Sequence, residues 1–220
     1  MYFTDRMALG NKLADTLTNV RGTDAVLVCM KPSSMMVAVG MAIKLRAWIL
    51  PLFYEKLTNP LDTTAKLGAL EQSGEFCLNP SITENDYEYI KQEFMAQIED
   101  QKREAMSRLN QAVNEYHGTT DPHILNNRTV ILVGDVMMNS LELEVAKLLL
   151  KPLTPQRVYG AVGNVTIDVS EQFRINTDES IVLDVLPSSV MGEDHYFESQ
   201  DVYSVEEKQK LAIYIAQYWA

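Results

Sequence analysis

Two carboxylates, Asp135 and Glu142, bracket the stretch of this sequence best equipped for chemistry: Gly134-Asp135-Val136-Met137-Met138-Asn139-Ser140-Leu141-Glu142. A carboxylate pair can divide general acid and general base work, which leaves hydrolysis or ligation open to these two residues. The stretch follows Thr129-Val130-Ile131-Leu132-Val133. These five residues are β-branched or apolar without alternation, the pattern of a central parallel strand covered on both faces. A loop at the carboxyl end of such a strand is where open α/β sheets place their ligands. The free N–H groups of the helix that follows, with the positive end of its dipole, suit an anion.

The same residues also predict that the anion place is filled from within. Asn139 reads as an N-cap and Glu142, three residues on, as its capping-box partner, so the helix's own side chains would satisfy those donors. If Glu142 instead faced a phosphate, like charges about 4 Å apart at an effective dielectric of roughly 20 would repel by about 4 kcal/mol. That is on the order of a thousandfold in affinity. Asp135 has two readings: a ligand for a sugar hydroxyl, or only a carboxylate at a helix entrance.

A second candidate turn is Lys31-Pro32-Ser33-Ser34, after the apolar run Ala25-Val26-Leu27-Val28-Cys29. Lys31 can supply charge and Ser33 and Ser34 hydroxyls, but Pro32 has no N–H to offer. The serine pair can equally cap the helix expected from about Met35 to Ala47.

These segments together resemble the type I phosphoribosyltransferases. That family's signature is an apolar strand, two adjacent acids and a small-residue loop that cradles the 5′-phosphate of phosphoribosyl pyrophosphate (PRPP). Gly134 stands for the first acid, Asp135 keeps the second, and Asn139, Ser140 and Glu142 stand for the threonine, glycine and final hydroxyl residue of the loop. The resemblance implies that the 134–142 stretch faces ribose and 5′-phosphate and that Lys31-Pro32-Ser33-Ser34 faces pyrophosphate. Further on, Lys56 matches the second residue of a basic pair in one branch of the family, while Glu55 puts an acid in the first. Gly68-Ala69 and Leu78-Asn79 match that branch's hood hairpin, and the segment from Tyr196 to Glu207 matches its closing segment. The resemblance runs in order from about Phe3 to Glu207. Each ligand-facing segment has lost a cation or gained an anion.

The remaining elements must position these groups. Thr4 or Asp5 caps a first helix with Leu9, Leu13, Leu17 and Val20 on one stripe. Trp48 to Tyr54 reads as a third strand entering the loop Glu55-Lys56-Leu57-Thr58-Asn59-Pro60, and Lys66–Leu70 with Glu75–Leu78 as a hairpin. Thr83 with Asp86 opens a long helix to Gly118, with Tyr87, Ile90, Phe94, Ile98, Ala105, Met106, Leu109, Val113 and Tyr116 on one face. At ~1.5 Å per residue it would span roughly 50 Å, enough to serve a second lobe or a dimer contact. After the motif, Leu143, Ala146, Leu149 and Leu150 give a helix its buried stripe. Strands at Arg157–Val162 and Ser180–Val185, a short helix near Ser170–Arg174, a ligand-edge segment Asn164-Val165-Thr166 and a last helix capped by Ser204 and Glu207, with Leu211, Ile215 and Trp219 inward, complete the chain.

Composition narrows the partners. The 220 residues carry a net charge of −11, which argues against nucleic acid and anionic membranes. No apolar run approaches the ~20 residues needed to cross a bilayer, and an early acid in Met1-Tyr2-Phe3-Thr4-Asp5-Arg6 is unlike a signal peptide. Cys29 and Cys77 stand alone, without metal-ligand spacing, and His117, His123 and His195 are scattered. The expectation is a cytoplasmic protein without a structural metal.

The sequence therefore predicts an α/β fold with an open, mostly parallel sheet, helices on both faces, and a hood of hairpin plus long helix. Residues 1–54 and 119–220 would form the core and 55–118 the hood. Its expected role is a non-catalytic ligand-binding or regulatory module with an impaired PRPP site, its ligand a nucleobase, nucleotide or sugar phosphate, and its hood a homodimer contact. The alternative is an active transferase of nucleotide metabolism, moving phosphoribosyl from PRPP with Mg²⁺ to a nitrogenous base or related acceptor. Met35-Met36 and Met137-Met138 would give the site adaptable apolar walls.

Overall fold

The strand that carries the motif sits at the centre of a parallel sheet, as its unbroken apolar run requires. The structure is a computed structural model and describes residues 1–187, 192–199 and 204–219. Contacts divide it into two units: residues 1–52, 118–139 and 153–220, and residues 53–117 and 140–152.

In the first unit, β1 (Val26–Cys29), β2 (Trp48–Pro51), β6 (Thr129–Met137), β7 (Arg157–Thr166) and β8 (Glu179–Leu186) form a parallel sheet in the order β2-β1-β6-β7-β8. Strand order reverses between β1 and β6, the position at which doubly wound sheets open a crevice. On one face lie α1 (Arg6–Thr16), α2 (Met35–Leu45) and α6 (Val205–Trp219), whose Leu9, Leu13, Val37, Met41, Ala212 and Ile215 share a core with Leu27, Ile131, Val133 and Ala161. Phe173 of α5 (Ile167–Asn176) packs on Gly160 at the other face. The fold class expected from the sequence is the one observed.

Local signals hold at several ends. Asp5 accepts from the Ala8 amide at 2.7 Å and caps α1, and Leu9, Leu13, Leu17 and Val20 are all buried. Ser204 and Glu207 exchange a capping box at the start of α6. The Trp219 side chain, expected inward, lies outside the described residues, as do residues 200–203 of the closing segment.

In the second unit, β3 (Tyr54–Asn59), β4 (Asp62–Glu71) and β5 (Phe76–Leu78) form an antiparallel sheet with β4 in the middle. α3 (Glu84–Glu115) packs on β3 and β4, and α4 (Leu141–Leu150) on β4 and β5. Thr83 caps α3, accepting from the Asp86 amide and donating to its carboxylate. Ile90, Ile98, Ala105 and Leu109 form its buried face, with a non-helical kink at Phe94. Two expectations need correction here. Trp48 to Tyr54 is not one strand: β2 ends at Pro51, and the stretch read as a loop, Glu55 to Asn59, belongs to β3. Its register slips on both sides of Thr58, whose N–H and C=O are taken by the side-chain amide of Gln101 at 2.8 and 3.1 Å. A long-range amide thus holds as strand what local polarity reads as loop. By contacts, α4 groups with this second unit.

The crossing of α1 and α2 leaves no room for a methyl group. A Cβ on Gly40 would stand 2.6 Å from the Met7 carbonyl oxygen, and one on Gly10 would run into the Val37 carbonyl. Gly10→Ala is expected to cost about 1–3 kcal/mol through overpacking. Urea unfolding checks this, and an unchanged midpoint would contradict it.

Candidate functional site

The geometry at the carboxyl edge follows from two periodicities. Along β6, alternate residues Ile131 and Val133 face the cluster that contains Leu9 and Leu13 of α1, so the next on that side is Asp135. Along α1, Arg6 precedes Leu9 and Leu13 on the same stripe. The carboxylate and the guanidinium therefore meet: Arg6 Nε donates to Asp135 Oδ2 at 2.9 Å, both groups buried.

Lys31, at the end of β1, completes the cluster. Its Nζ donates to the Val136 carbonyl at 2.7 Å and to Glu193 Oε2 at 2.6 Å, and lies 3.5 Å from Asp135 Oδ1. Arg6 Nη2 donates to Asp194 Oδ1 at 2.7 Å, and the guanidinium sits 4.4 Å from the centre of the Phe197 ring. Glu193 and Asp194 begin a 3₁₀ turn, Glu193–Tyr196, tied to the N-terminal segment by Phe3 N–H to Tyr196 O and Glu198 N–H to Phe3 O, each 2.9 Å. Burial pushes the Asp135 carboxyl up, but Lys31, the Arg6 hydrogen bond and charge, and the Val136 amide outweigh it and hold it below the usual carboxylate range.

The other expected site residues fall differently from the expectation. Gly134, Val136 and Met137 lie within β6, with Gly134 opposite Val162 of β7, so this part of the motif is strand and not loop. A Cβ on Gly134 would meet Met137 Sδ at 2.9 Å and Val162 Cγ1 at 3.2 Å, which leaves an acid no place there without movement. The Met138 carbonyl accepts from the Thr166 hydroxyl at 3.5 Å, while Asn139 is exposed. Asn164, Val165 and Thr166, expected in a ligand-edge segment, are the last residues of β7, and the Asn164 amide donates to the Met1 carbonyl.

At α4 the N-cap is Ser140, one residue past the expected Asn139; Ser140 makes no side-chain cap bond, and Leu141 begins the helix. Glu142 turns to Lys56, with Oε1 to Nζ at 2.6 Å and the carboxylate only 5% exposed. A carboxylate so enclosed is better compensated by an ammonium than by an amide it would share. Glu142 stands in the first turn of α4, and its bond is to Lys56. Asp135 is tied to Arg6 in the first unit and Glu142 to Lys56 in the second. In the 3₁₀ turn Pro32–Ser34, the Ser34 hydroxyl donates to the Lys31 carbonyl at 2.8 Å and accepts from its N–H at 3.2 Å. Ser34 thus closes the turn rather than capping α2, and Ser33 is half-buried.

No family model matches the chain, and no curated protein is similar to it. Among solved structures it is similar to TT1426 of Thermus thermophilus, over 98% of this chain and 100% of that one, with 22% identity and a TM-score of 0.73. A hypoxanthine phosphoribosyltransferase of Staphylococcus aureus aligns with 83% of this chain and 73% of its own, at 10% identity and a TM-score of 0.42. A purine phosphoribosyltransferase of Pyrococcus horikoshii aligns with 89% and 91%, at 12% identity and a TM-score of 0.41. The Thermus likeness is one of fold over nearly the whole chain. The five-stranded parallel sheet with its helices is consistent with a type I phosphoribosyltransferase-like fold.

Sequence reasoning missed Arg6, Glu193 and Asp194. Arg6 had a signal, a cation on the apolar stripe of α1; the two acids had none. Among the described residues, no three His, Cys, Asp or Glu side chains are grouped to hold a metal, and no helix is long and apolar enough to cross a membrane.

Removing the Asp135 charge leaves Arg6 buried beside a neutral group, so Asp135→Asn is expected to cost about 3–5 kcal/mol of stability. The folded-state pKa of Asp135 is depressed, so its contribution is present above the unfolded value of about 3.9 and fades as pH falls through the folded one. Denaturation curves of the two proteins should therefore converge below roughly pH 4. A constant gap down to about pH 2 would contradict the assignment.

Proposed function

We propose that this chain is a phosphoribosyltransferase-fold module that binds or senses a small molecule and does not transfer phosphoribosyl groups. The observation that carries the reading is Lys31. In the family pattern it faces pyrophosphate; here its ammonium is buried, bonded to Val136 O and Glu193, with Asp135 3.5 Å away. A diphosphate would have to displace one carboxylate and then sit beside another, an arrangement that Coulomb repulsion opposes.

Two further features support it. Gly134 supplies no acid for the ribose hydroxyls. Asp135, the acid that remains, is engaged by Arg6 and Lys31. These residues do not fit Mg²⁺, which prefers several oxygen ligands and enters such sites with substrate phosphates. Met35, Met36 and Met137 are buried nearby in sequence to both turns, and such side chains adapt to a flat or apolar ligand. The ligand class remains a nucleobase, nucleotide or sugar phosphate. Free, buried Cys29 and Cys77 fit the reducing cytoplasm we propose for it.

A second reading, an active transferase using PRPP and Mg²⁺ on a nitrogenous base, is favoured by one observation: Asp135 is held ionised at the carboxyl end of the central strand. Calorimetry with PRPP and Mg²⁺ separates the two. The proposal expects no heat of binding at millimolar ligand; micromolar binding overturns it in favour of the transferase. We also propose self-association through α3, on which Tyr89 and Met95 are 56% and 55% exposed. Light scattering of the same sample should give twice the chain mass, falling to one chain in Tyr89→Glu with Met95→Glu. A wild-type monomer would remove this part of the proposal.

A further inference from the structure

We infer that β8 is a docking edge for an extended peptide segment of a partner protein, one that alternates basic and apolar side chains and lies along β8 as a sixth strand. The inference goes beyond the small-molecule reading and does not depend on it.

Backbone hydrogen bonding gives the first ground. β8 is an end strand: it pairs with β7 on one side, and among the described residues no backbone group takes up the row of N–H and C=O groups on its other side. Its pairing with β7 keeps one constant offset, from Tyr159 opposite Glu179 to Thr166 opposite Leu186, so no bulge turns the edge away. With eight residues at about 3.3 Å each, it offers roughly 26 Å of edge. Natural sheets blunt such edges by shortness, proline, lysine or a bulge. The opposite end strand, β2, follows that practice, with four residues closing on Pro51. β8, Glu179-Ser180-Ile181-Val182-Leu183-Asp184-Val185-Leu186, has neither lysine nor proline.

Packing gives the second. Ile181-Val182-Leu183 has the unbroken apolar character of an interior strand, yet all three residues are only partly buried, whereas β7 beside them is buried from Tyr159 to Thr166. What β7 has and β8 lacks is a strand on each side. Val185 is 48% exposed, and α5, which packs on β8, leaves Ile167 and Ile175 near its two ends 56% and 66% exposed. An added strand satisfies backbone groups and covers apolar side chains together, which is how strand addition gains affinity and specificity.

Charge selects the occupant. From Ile167 to Leu186 the chain carries Asp168, Glu171, Asp178, Glu179 and Asp184 against Arg174 alone. Arg157 lies near Asp178 and Glu179, and the Met1 amino group meets Asp184, so acid stays in excess. Two copies joined at this edge would set two such acidic segments side by side, which Coulomb repulsion opposes. Ile181 and Leu183 pack against the core shared with α1 and α2, and the alternate residues Ser180, Val182 and Asp184 point to the side that carries α5. A guest strand with apolar groups on the first side and basic groups on the second continues both layers and meets the opposite sign of charge.

The test titrates the wild-type chain into a dye-labelled octapeptide of alternating lysine and valine, followed by fluorescence anisotropy, with amide hydrogen exchange to locate the contact. This peptide should bind about tenfold or more tightly than one of alternating glutamate and valine, and exchange should slow within residues 179–186. N-methylating every second peptide nitrogen keeps the charge and removes ladder donors, which should cost about tenfold or more in affinity. Equal binding of the methylated or the glutamate peptide overturns the inference, as does protection confined to another part of the chain. Val185→Lys, at an exposed position, puts a lysine on the edge and should weaken the lysine peptide severalfold. A wild-type dimer that Val185→Lys dissociates would make a second copy the occupant and overturn the peptide. If that variant does not fold, the three peptides on the wild type still decide.

Discussion

The contact between Arg6 and Asp135 is the constraint on which the candidate site depends. A carboxylate that enters the interior of a sheet must be compensated, because removing a charge from water costs several kcal/mol even after relaxation. The side of β6 that bears Ile131 and Val133 continues to Asp135, and the stripe of α1 that bears Leu13 and Leu9 continues back to Arg6, where the two charges meet. The sheet edge and the N-terminal helix are thereby fixed to each other by a charge pair at the end of a hydrophobic seam. Lys31 joins from β1, so three elements of the first unit converge on one carboxylate.

This convergence changes what the motif means. In the family that the sequence resembles, residues at these positions face a polyanionic ligand. Here the charges face each other. Lys31 is satisfied by a backbone carbonyl and a glutamate, and in the second unit Lys56 is satisfied by Glu142.

What the sequence made legible was whatever local periodicity controls. The apolar runs of β1 and β6, the stripe of α1, the cap at Thr83 and the capping box at Ser204 follow from residues a few positions apart. What it hid depends on distant partners. β3 reads as loop because Glu55, Lys56, Thr58 and Asn59 are polar, and the Gln101 amide that serves Thr58 comes from another element. The tie between Glu142 and Lys56 likewise joins distant residues. Arg6 stood in view on the apolar stripe of α1, but only the fold shows that Asp135 waits opposite it. Glu193 and Asp194 are two acids in an acidic chain, and nothing local marks them as partners of Lys31 and Arg6.

The central claim is that the cations at this edge are committed to the chain's own carboxylates. A crystal structure of the wild-type protein grown with millimolar PRPP and Mg²⁺ tests it most directly. The account predicts Lys31 Nζ still on Val136 O and Glu193, Arg6 still on Asp135 and Asp194, and no diphosphate between them. A pyrophosphate group seated on Lys31, with Glu193 swung away and a metal on Asp135, would contradict it.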